Sequence, residues 1–294
     1  MPFTTTDDGV RLHYEISGSG KPVVLIHGLT ASSRHFQKQT PFLAEHFRVI
    51  APDLRGHGQS ETSMDHLTMA RLARDLKQLI VSLNITDVSL VGWSMGAQVI
   101  FEYIKNYSCA GIEKIVIIDM APKIMKSEDW HFGLPGIFSR RSGDFGHEDN
   151  LYLLSVMLDD WQVYSRILAR RLLNRSLYNE KMEFNELADF MGKDDLQMLE
   201  SEAGKNNASV IAAFWIAMAM QDYRPMLKDI LVPCLLVYGK ESNYYPPENF
   251  EYMQMRMPHA RVIGFEGCGH IPHIQDPERF NQTLLNFLAP GNFK

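Results

Sequence analysis

The apolar run Val88-Ser89-Leu90-Val91 passes without a break into Gly92-Trp93-Ser94-Met95-Gly96, and few backbone paths accommodate that junction. The run reads as a short buried strand, and the residues after Ser94 read as a helix. A strand that enters a helix through one residue turns so tightly that bulky side chains two positions to either side would collide. Glycines stand at both of those positions. Ser94 is then held outward at the apex of the turn, with the first N–H groups of the helix aimed at any anion that forms beside it.

The surrounding pattern supplies a sheet for that junction. Val10–Ser17 alternates as an edge strand would, and Val23–Ile26 and Phe47–Ala51 are short apolar runs ending at His27-Gly28 and Pro52-Asp53. Leu72, Leu76, Leu79, Ile80 and Leu83 fall on one helical face, and Val88–Val91, a helix from Ser94 and Ile115–Ile118 complete the series. Short buried strands alternating with helices predict a parallel sheet covered on both faces. From about Pro122 to Asp222 no strand-like run occurs, and a glycine-rich stretch (Gly133, Gly136, Gly143, Gly146) is followed by amphipathic segments. The strand and helix signals resume at Val232–Tyr238, after Pro247, at Arg261–Phe265 and after Asp276-Pro277, where Asp276 suits an N-cap. The predicted organisation is one α/β core, 1–121 and 223–294, interrupted by a helical insertion over 122–222.

Charge and cysteine usage narrow the partners. With 29 basic against 35 acidic residues the formal charge is −6, and no long basic run appears, which argues against nucleic acid or an anionic membrane surface. Cys109, Cys234 and Cys268 are odd in number, widely separated and without metal-type spacing, as expected of reduced thiols in a cytoplasmic protein. The polar N-terminus lacks a signal-peptide pattern, and the longest apolar stretch, Val210 to Met220, is about half of what a bilayer requires. A soluble, cytoplasmic protein is therefore expected, with no metal or organic cofactor. No feature specifies an oligomeric state.

A serine hydroxyl is a poor nucleophile at neutral pH and needs a base within hydrogen-bond reach and donors for an oxyanion. Of eleven histidines, His270 in Gly267-Cys268-Gly269-His270 follows a strand, on the sheet edge where such folds place their sites. His273, three residues on, is a competitor for the same role. The N–H of Met95, after the serine, and that of Leu29, in His27-Gly28-Leu29-Thr30, are the candidate oxyanion donors. His27, Gly28 and Trp93 are expected around the substrate. Arg55-Gly56-His57-Gly58-Gln59-Ser60 reads as a structural, hydrogen-bonded turn.

Asp8-Gly9, His27-Gly28, Asp53 to Ser60, the Gly92–Gly96 turn and Gly269-His270 occur in the order seen in the α/β-hydrolase superfamily, and the chain resembles that family over nearly its whole length outside the insertion. The resemblance implies an eight-stranded, mostly parallel sheet with helices on both faces, a serine–histidine–acid triad, and a helical cap over the site. Members often carry the acid as Asp in a Gly-x-x-Asp-x-x-x-Pro stretch; here Gly239-Lys240-Glu241-Ser242-Asn243-Tyr244-Tyr245-Pro246 places Ser242 there. A serine cannot supply the negative charge that steadies an imidazolium. Two carboxylates can replace it: Asp119, in Asp119-Met120-Ala121-Pro122, as in a branch of small broad-specificity esterases, or Glu241.

Related dehalogenases and epoxide hydrolases use a carboxylate where Ser94 stands, so the resemblance implies acyl transfer through a serine ester. Carboxylic-ester hydrolysis leads. Cleavage of carbon–carbon bonds, lactone hydrolysis and a cofactor-free haloperoxidase or perhydrolase activity are the enzymatic alternatives, and a ligand receptor or inactive homologue is the non-enzymatic one. Trp130, Phe132, Phe138, Trp161, Tyr164, Phe214, Trp215, Met218 and Met220 give the insertion an apolar character suited to a small ester-like substrate. Arg140 and Arg141 are read as exposed solubilising charge.

Overall fold

The computed structural model describes residues 2–134, 147–173 and 183–289; Gly136, Phe138, Arg140, Arg141, Gly143 and Gly146 lie outside the described residues. Eight strands, β1 (Phe3–Thr5), β2 (Arg11–Ser17), β3 (Pro22–Ile26), β4 (Arg48–Pro52), β5 (Val88–Trp93), β6 (Ile112–Ile118), β7 (Cys234–Gly239) and β8 (Ala260–Phe265), form one sheet. Their spatial order is β1-β2-β4-β3-β5-β6-β7-β8. The β1–β2 and β2–β4 pairings are antiparallel and the remainder parallel. Val10–Ser17 is thus not the edge. Phe3–Thr5 pairs outside it, a three-residue strand too short and too polar to show a period.

The apolar runs are continuous because both faces of the sheet are covered. Val24, Leu90, Ile115 and Ile117 point into one layer, with α2 (Met69–Ser82) and α3 (Met95–Tyr107). Val23, Val91, Val116 and Ile118 point into the other, with α1 (Thr40–Ala44) and α11 (Pro277–Leu288). All six residues of β5 are buried. At the start of α2, Thr68 accepts a hydrogen bond from Arg71 N–H, while Asp276 occupies the N-cap position of α11 without a side-chain capping bond.

Between β6 and β7 the described residues form α4 (His147–Asp159), α5 (Trp161–Arg171), α6 (Phe184–Met191), α7 (Lys193–Gly204) and α8 (Ala208–Ala219). The two ends of this helical stretch meet. Tyr223 N–H donates to Pro122 O at 2.8 Å, and Lys123 forms an isolated bridge with Asp222. After β7 come α9 (Pro247–Arg256) and, beyond β8, α10 (Pro272–Gln275). Among the described residues the three cysteines are unpaired, and no helix is long and apolar enough to cross a membrane.

Register decides what the C-terminal edge presents. Trp93 lies opposite Ile118, and Ile118 opposite Val237. Ser94, Asp119 and the loop after β7 therefore emerge side by side.

Candidate active site

Ser94 has φ 52° and ψ −120°, a left-handed conformation that non-glycine residues rarely adopt. The glycines that frame it are required by contact. A Cβ on Gly92 would lie 2.5 Å from Gly96 O, and one on Gly96 would lie 2.1 Å from Ile26 O. Ser94 N–H donates to Ile118 O at 3.0 Å, so the turn is also anchored to the neighbouring strand.

Asp119 has φ 45° and its N–H donates to Val237 O at 2.7 Å. This turn brings a fully buried carboxylate to three donors. His270 Nδ1 lies 2.7 Å from Oδ1, Ser242 Oγ donates to the same oxygen at 2.9 Å, and Gly239 N–H donates to Oδ2 at 2.9 Å. A carboxylate can only accept from the ring, so Nδ1 is the donor, and in the neutral imidazole Nε2 keeps its lone pair. Ser242, at the position expected for an acid, thus bonds the carboxylate that follows the neighbouring strand β6. Its Oγ also accepts from Tyr244 N–H at 3.1 Å. Glu241 is half-exposed, and its backbone N–H donates to Cys268 O. The carboxylate on Nδ1 is that of Asp119.

Ring contacts fix the imidazole further. Tyr244 stacks on His270 with centroids 3.9 Å apart and planes 15° apart, and Trp93 Nε1 donates to His270 O at 2.8 Å. Ser94 and His270 open on one cavity. Leu29, Thr30, Trp93, Tyr244 and Tyr245 line it from the sheet side, and Met157, Leu168, Leu172, Trp215 and Met218 from the helical stretch. Among the described residues no Asp, Glu, Lys or Arg side chain lines it. Trp215 Nε1 donates to Asn150.

Three residues singled out in the sequence lie outside the cavity lining. His27 does not face the cavity: Leu54 N–H donates to its Nε2 at 2.9 Å, and its Nδ1 bonds Gly28 O at 2.8 Å. It locks two loops together as a neutral ring, and burial pushes its pKa down to about 4. Gly28 shapes the site without lining it, since a Cβ there would meet both Ser94 Cβ and the Trp93 ring at 3.0 Å. His273, the competing base, is buried behind Trp93, with ring centroids 5.1 Å apart, and among the described residues neither nitrogen has a hydrogen-bond partner. The Gly28→Ala variant should remain folded and lose between about tenfold and a hundredfold in turnover, because the loop is displaced from Ser94 by a fraction of an ångström. Unchanged turnover would show that this approach is not needed.

Leu29 and Met95 are the candidate oxyanion donors. Leu29 lines the cavity on which Ser94 opens, and Met95 opens α3 directly after Ser94. Among the described residues neither N–H donates to a protein acceptor. The Arg55–Ser60 turn is structural: Arg55 is buried against Asp75 and Asp8, and Asp53 accepts from Ser33 N–H and Gln59 N–H. Among the described residues no cluster of three metal-ligating side chains occurs.

This arrangement has relatives. The model of the alpha/beta hydrolase family matches residues 23–283, and the chain belongs to that family. It is 38% identical over 286 residues to a soluble epoxide hydrolase of Corynebacterium sp. strain C12, covering 96% of this chain and 95% of the relative. It is 35% identical over 292 residues to a non-heme haloperoxidase of Rhodococcus erythropolis, covering 98% and 99%. An esterase from Exiguobacterium antarcticum shares the fold, with TM-score 0.84 at 24% identity over 97% of this chain and 98% of its own. The chain is thus a hydrolase-family enzyme.

Proposed function

We propose that the protein hydrolyses carboxylic esters through a covalent acyl-serine. The observation that carries this reading is the bond between His270 Nδ1 and Asp119, with His270 and Ser94 lining one cavity. In this reading His270 takes the Ser94 proton as the hydroxyl attacks the carbonyl, and Asp119 steadies the imidazolium that results. The N–H groups of Leu29 and Met95 receive the oxyanion. His270 returns its proton to the leaving alkoxide, and water repeats the cycle on the acyl-enzyme. The helical stretch over 122–222 acts as a cap. Its apolar wall and the uncharged surroundings suit small, neutral, apolar acyl or aromatic esters.

The name of the haloperoxidase relative favours a second reading, in which hydrogen peroxide replaces water against the same acyl-serine and releases a peracid. One experiment addresses both. Intact protein treated with a fluorophosphonate should gain one label, on Ser94, and should release p-nitrophenol from p-nitrophenyl acetate; Ser94→Ala should do neither. Absence of both label and burst would sink the acyl-serine reading. A panel of alkyl esters, thioesters, lactones and diketones, run with and without peroxide, then ranks the substrates.

A further inference from the structure

Seven non-glycine residues have positive φ among the described residues, and three of them, Thr30, Ser94 and Asp119, belong to the site. For Ser94 and Asp119 the reason lies in the groups they present. Thr30 presents none of the reacting groups, yet it is β-branched and sits at φ 63°, where a branched side chain is a steric outlier. Such a conformation persists only when its surroundings impose it.

The surroundings that impose it come from the helical insertion. Thr30 O accepts from Asn206 Nδ2 at 3.0 Å. Asn206 is buried just past the end of α7, where the same nitrogen donates to Glu202 O at 2.8 Å and Ala203 O at 3.1 Å. Two residues beyond Thr30, Ser32 Oγ donates to the Glu202 carboxylate at 2.7 Å, and Arg34 pairs with the same carboxylate at 2.8 Å. The other end of the loop is held by the core, where Ser33 N–H donates to Asp53 at 2.7 Å. The left-handed turn at Thr30 thus lies between Gly28, where a Cβ would meet Ser94 Cβ at 3.0 Å, and Ser33, which is bonded to the core.

We infer that Asn206, at the C-terminal end of α7, is a positioning residue for the oxyanion site: it holds Thr30 in its left-handed turn and so keeps the Leu29 N–H aimed beside Ser94. This rests on the acyl-serine reading above. The insertion then does more than roof the cavity, because one catalytic donor is in place only while α7 is docked. An oxyanion donor acts on the transition state more than on bound substrate, so its misalignment is felt in kcat rather than KM.

Glycine supplies the test, because it adopts positive φ without strain and needs no such hold. Asn206→Ala is expected to lower kcat for p-nitrophenyl acetate about tenfold while KM changes less than about twofold. Thr30→Gly alone is the reference for the double variant, because Thr30 itself lines the cavity. Thr30→Gly combined with Asn206→Ala should recover most of the lost kcat. Asn206→Asp, which keeps the size but loses the donor, should behave as Asn206→Ala. Hydrogen exchange of the Leu29–Ser33 segment should quicken in Asn206→Ala and slow again in the double variant. That readout needs no turnover, so it tests the positioning even if the native protein neither labels nor cleaves ester, the outcome that sinks the esterase reading alone. The positioning role is overturned if Asn206→Ala leaves kcat and exchange unchanged, or if its loss is the same with threonine and with glycine at position 30.

Discussion

Asp119→Asn is expected to lower the turnover number on p-nitrophenyl acetate by roughly 10²–10⁴ with little change in KM. The geometry gives the reason. Three donors converge on the carboxylate: His270 Nδ1–H, Ser242 O–H and Gly239 N–H. An asparagine amide offers one acceptor and one NH₂, so its nitrogen must face a donor. The pairing is best relieved if His270 moves its proton to Nε2, the nitrogen that has to accept from Ser94. KM is spared because Asp119 does not line the cavity.

A second substitution sharpens the result. Ser242 Oγ stands 2.9 Å from the oxygen that meets His270, so an aspartate at 242 can bring a carboxylate to Nδ1. Ser242→Asp in the Asp119→Asn background should recover at least tenfold of the lost turnover. Ser242→Asp alone should instead crowd two carboxylates together and hold one of them protonated. Near-native activity in Asp119→Asn, together with collapse in Glu241→Gln, would move the acid to Glu241.

Acid should unfold the protein well above the pH at which carboxylates titrate. His27, His35, His57 and His273 are all buried. Burial pushes His27 and His35 down to about 4 and His57 to about 3, and holds His273 well below its usual value. The sign follows from proton counting. Below pH about 6.5 the unfolded chain protonates these imidazoles while the folded chain does not, so stability is lost as pH falls. Each contributes up to about 1.4 kcal/mol per pH unit. Together they remove on the order of 4 kcal/mol over the unit below pH 6, a large part of a typical total of about 5–15. Asp8, held low by hydrogen bonds from Arg55, adds a loss of the same sign only at lower pH. Urea denaturation at pH 7.5, 6.0 and 5.0 should show the midpoint falling steeply. His273→Leu should flatten the slope, because the imidazole it removes has no hydrogen-bond partner and packs against Phe36, Trp93 and Phe280. A midpoint unchanged from pH 7.5 to 5.0 would refute this account.

The central strands are legible in the sequence because burial on both faces leaves continuous apolar runs, as in Val23–Ile26 and Ile115–Ile118. Phe3–Thr5 is not, since one alternation of exposed and half-buried residues carries no period. Ser94 is marked by glycines whose missing Cβ atoms clear a backbone contact, and that steric need is written in residue type. The choice between Asp119 and Glu241 is different. Both follow neighbouring strands, and what separates them is the direction of the chain at Asp119, set by φ 45° and a bond to Val237 O. No local pattern records that. His27 misleads for a related reason: a histidine beside a site looks like a ligand contact until both ring nitrogens are seen to bond main chain. Asn206 and Thr30 are 176 residues apart, and only the assembled fold brings them together.

His270 N–H donates to Leu172 O at 2.9 Å, and Asn243 Nδ2 donates to Leu173 O at 3.1 Å, so the end of α5 is bonded to both loops that serve the base. A roof that swung away as a rigid flap would pull on the machinery beneath it. In the acyl-serine reading, product release is then expected to depend on rotation of side chains such as Met157, Trp215 and Met218 in the cavity wall more than on a swing of the helices.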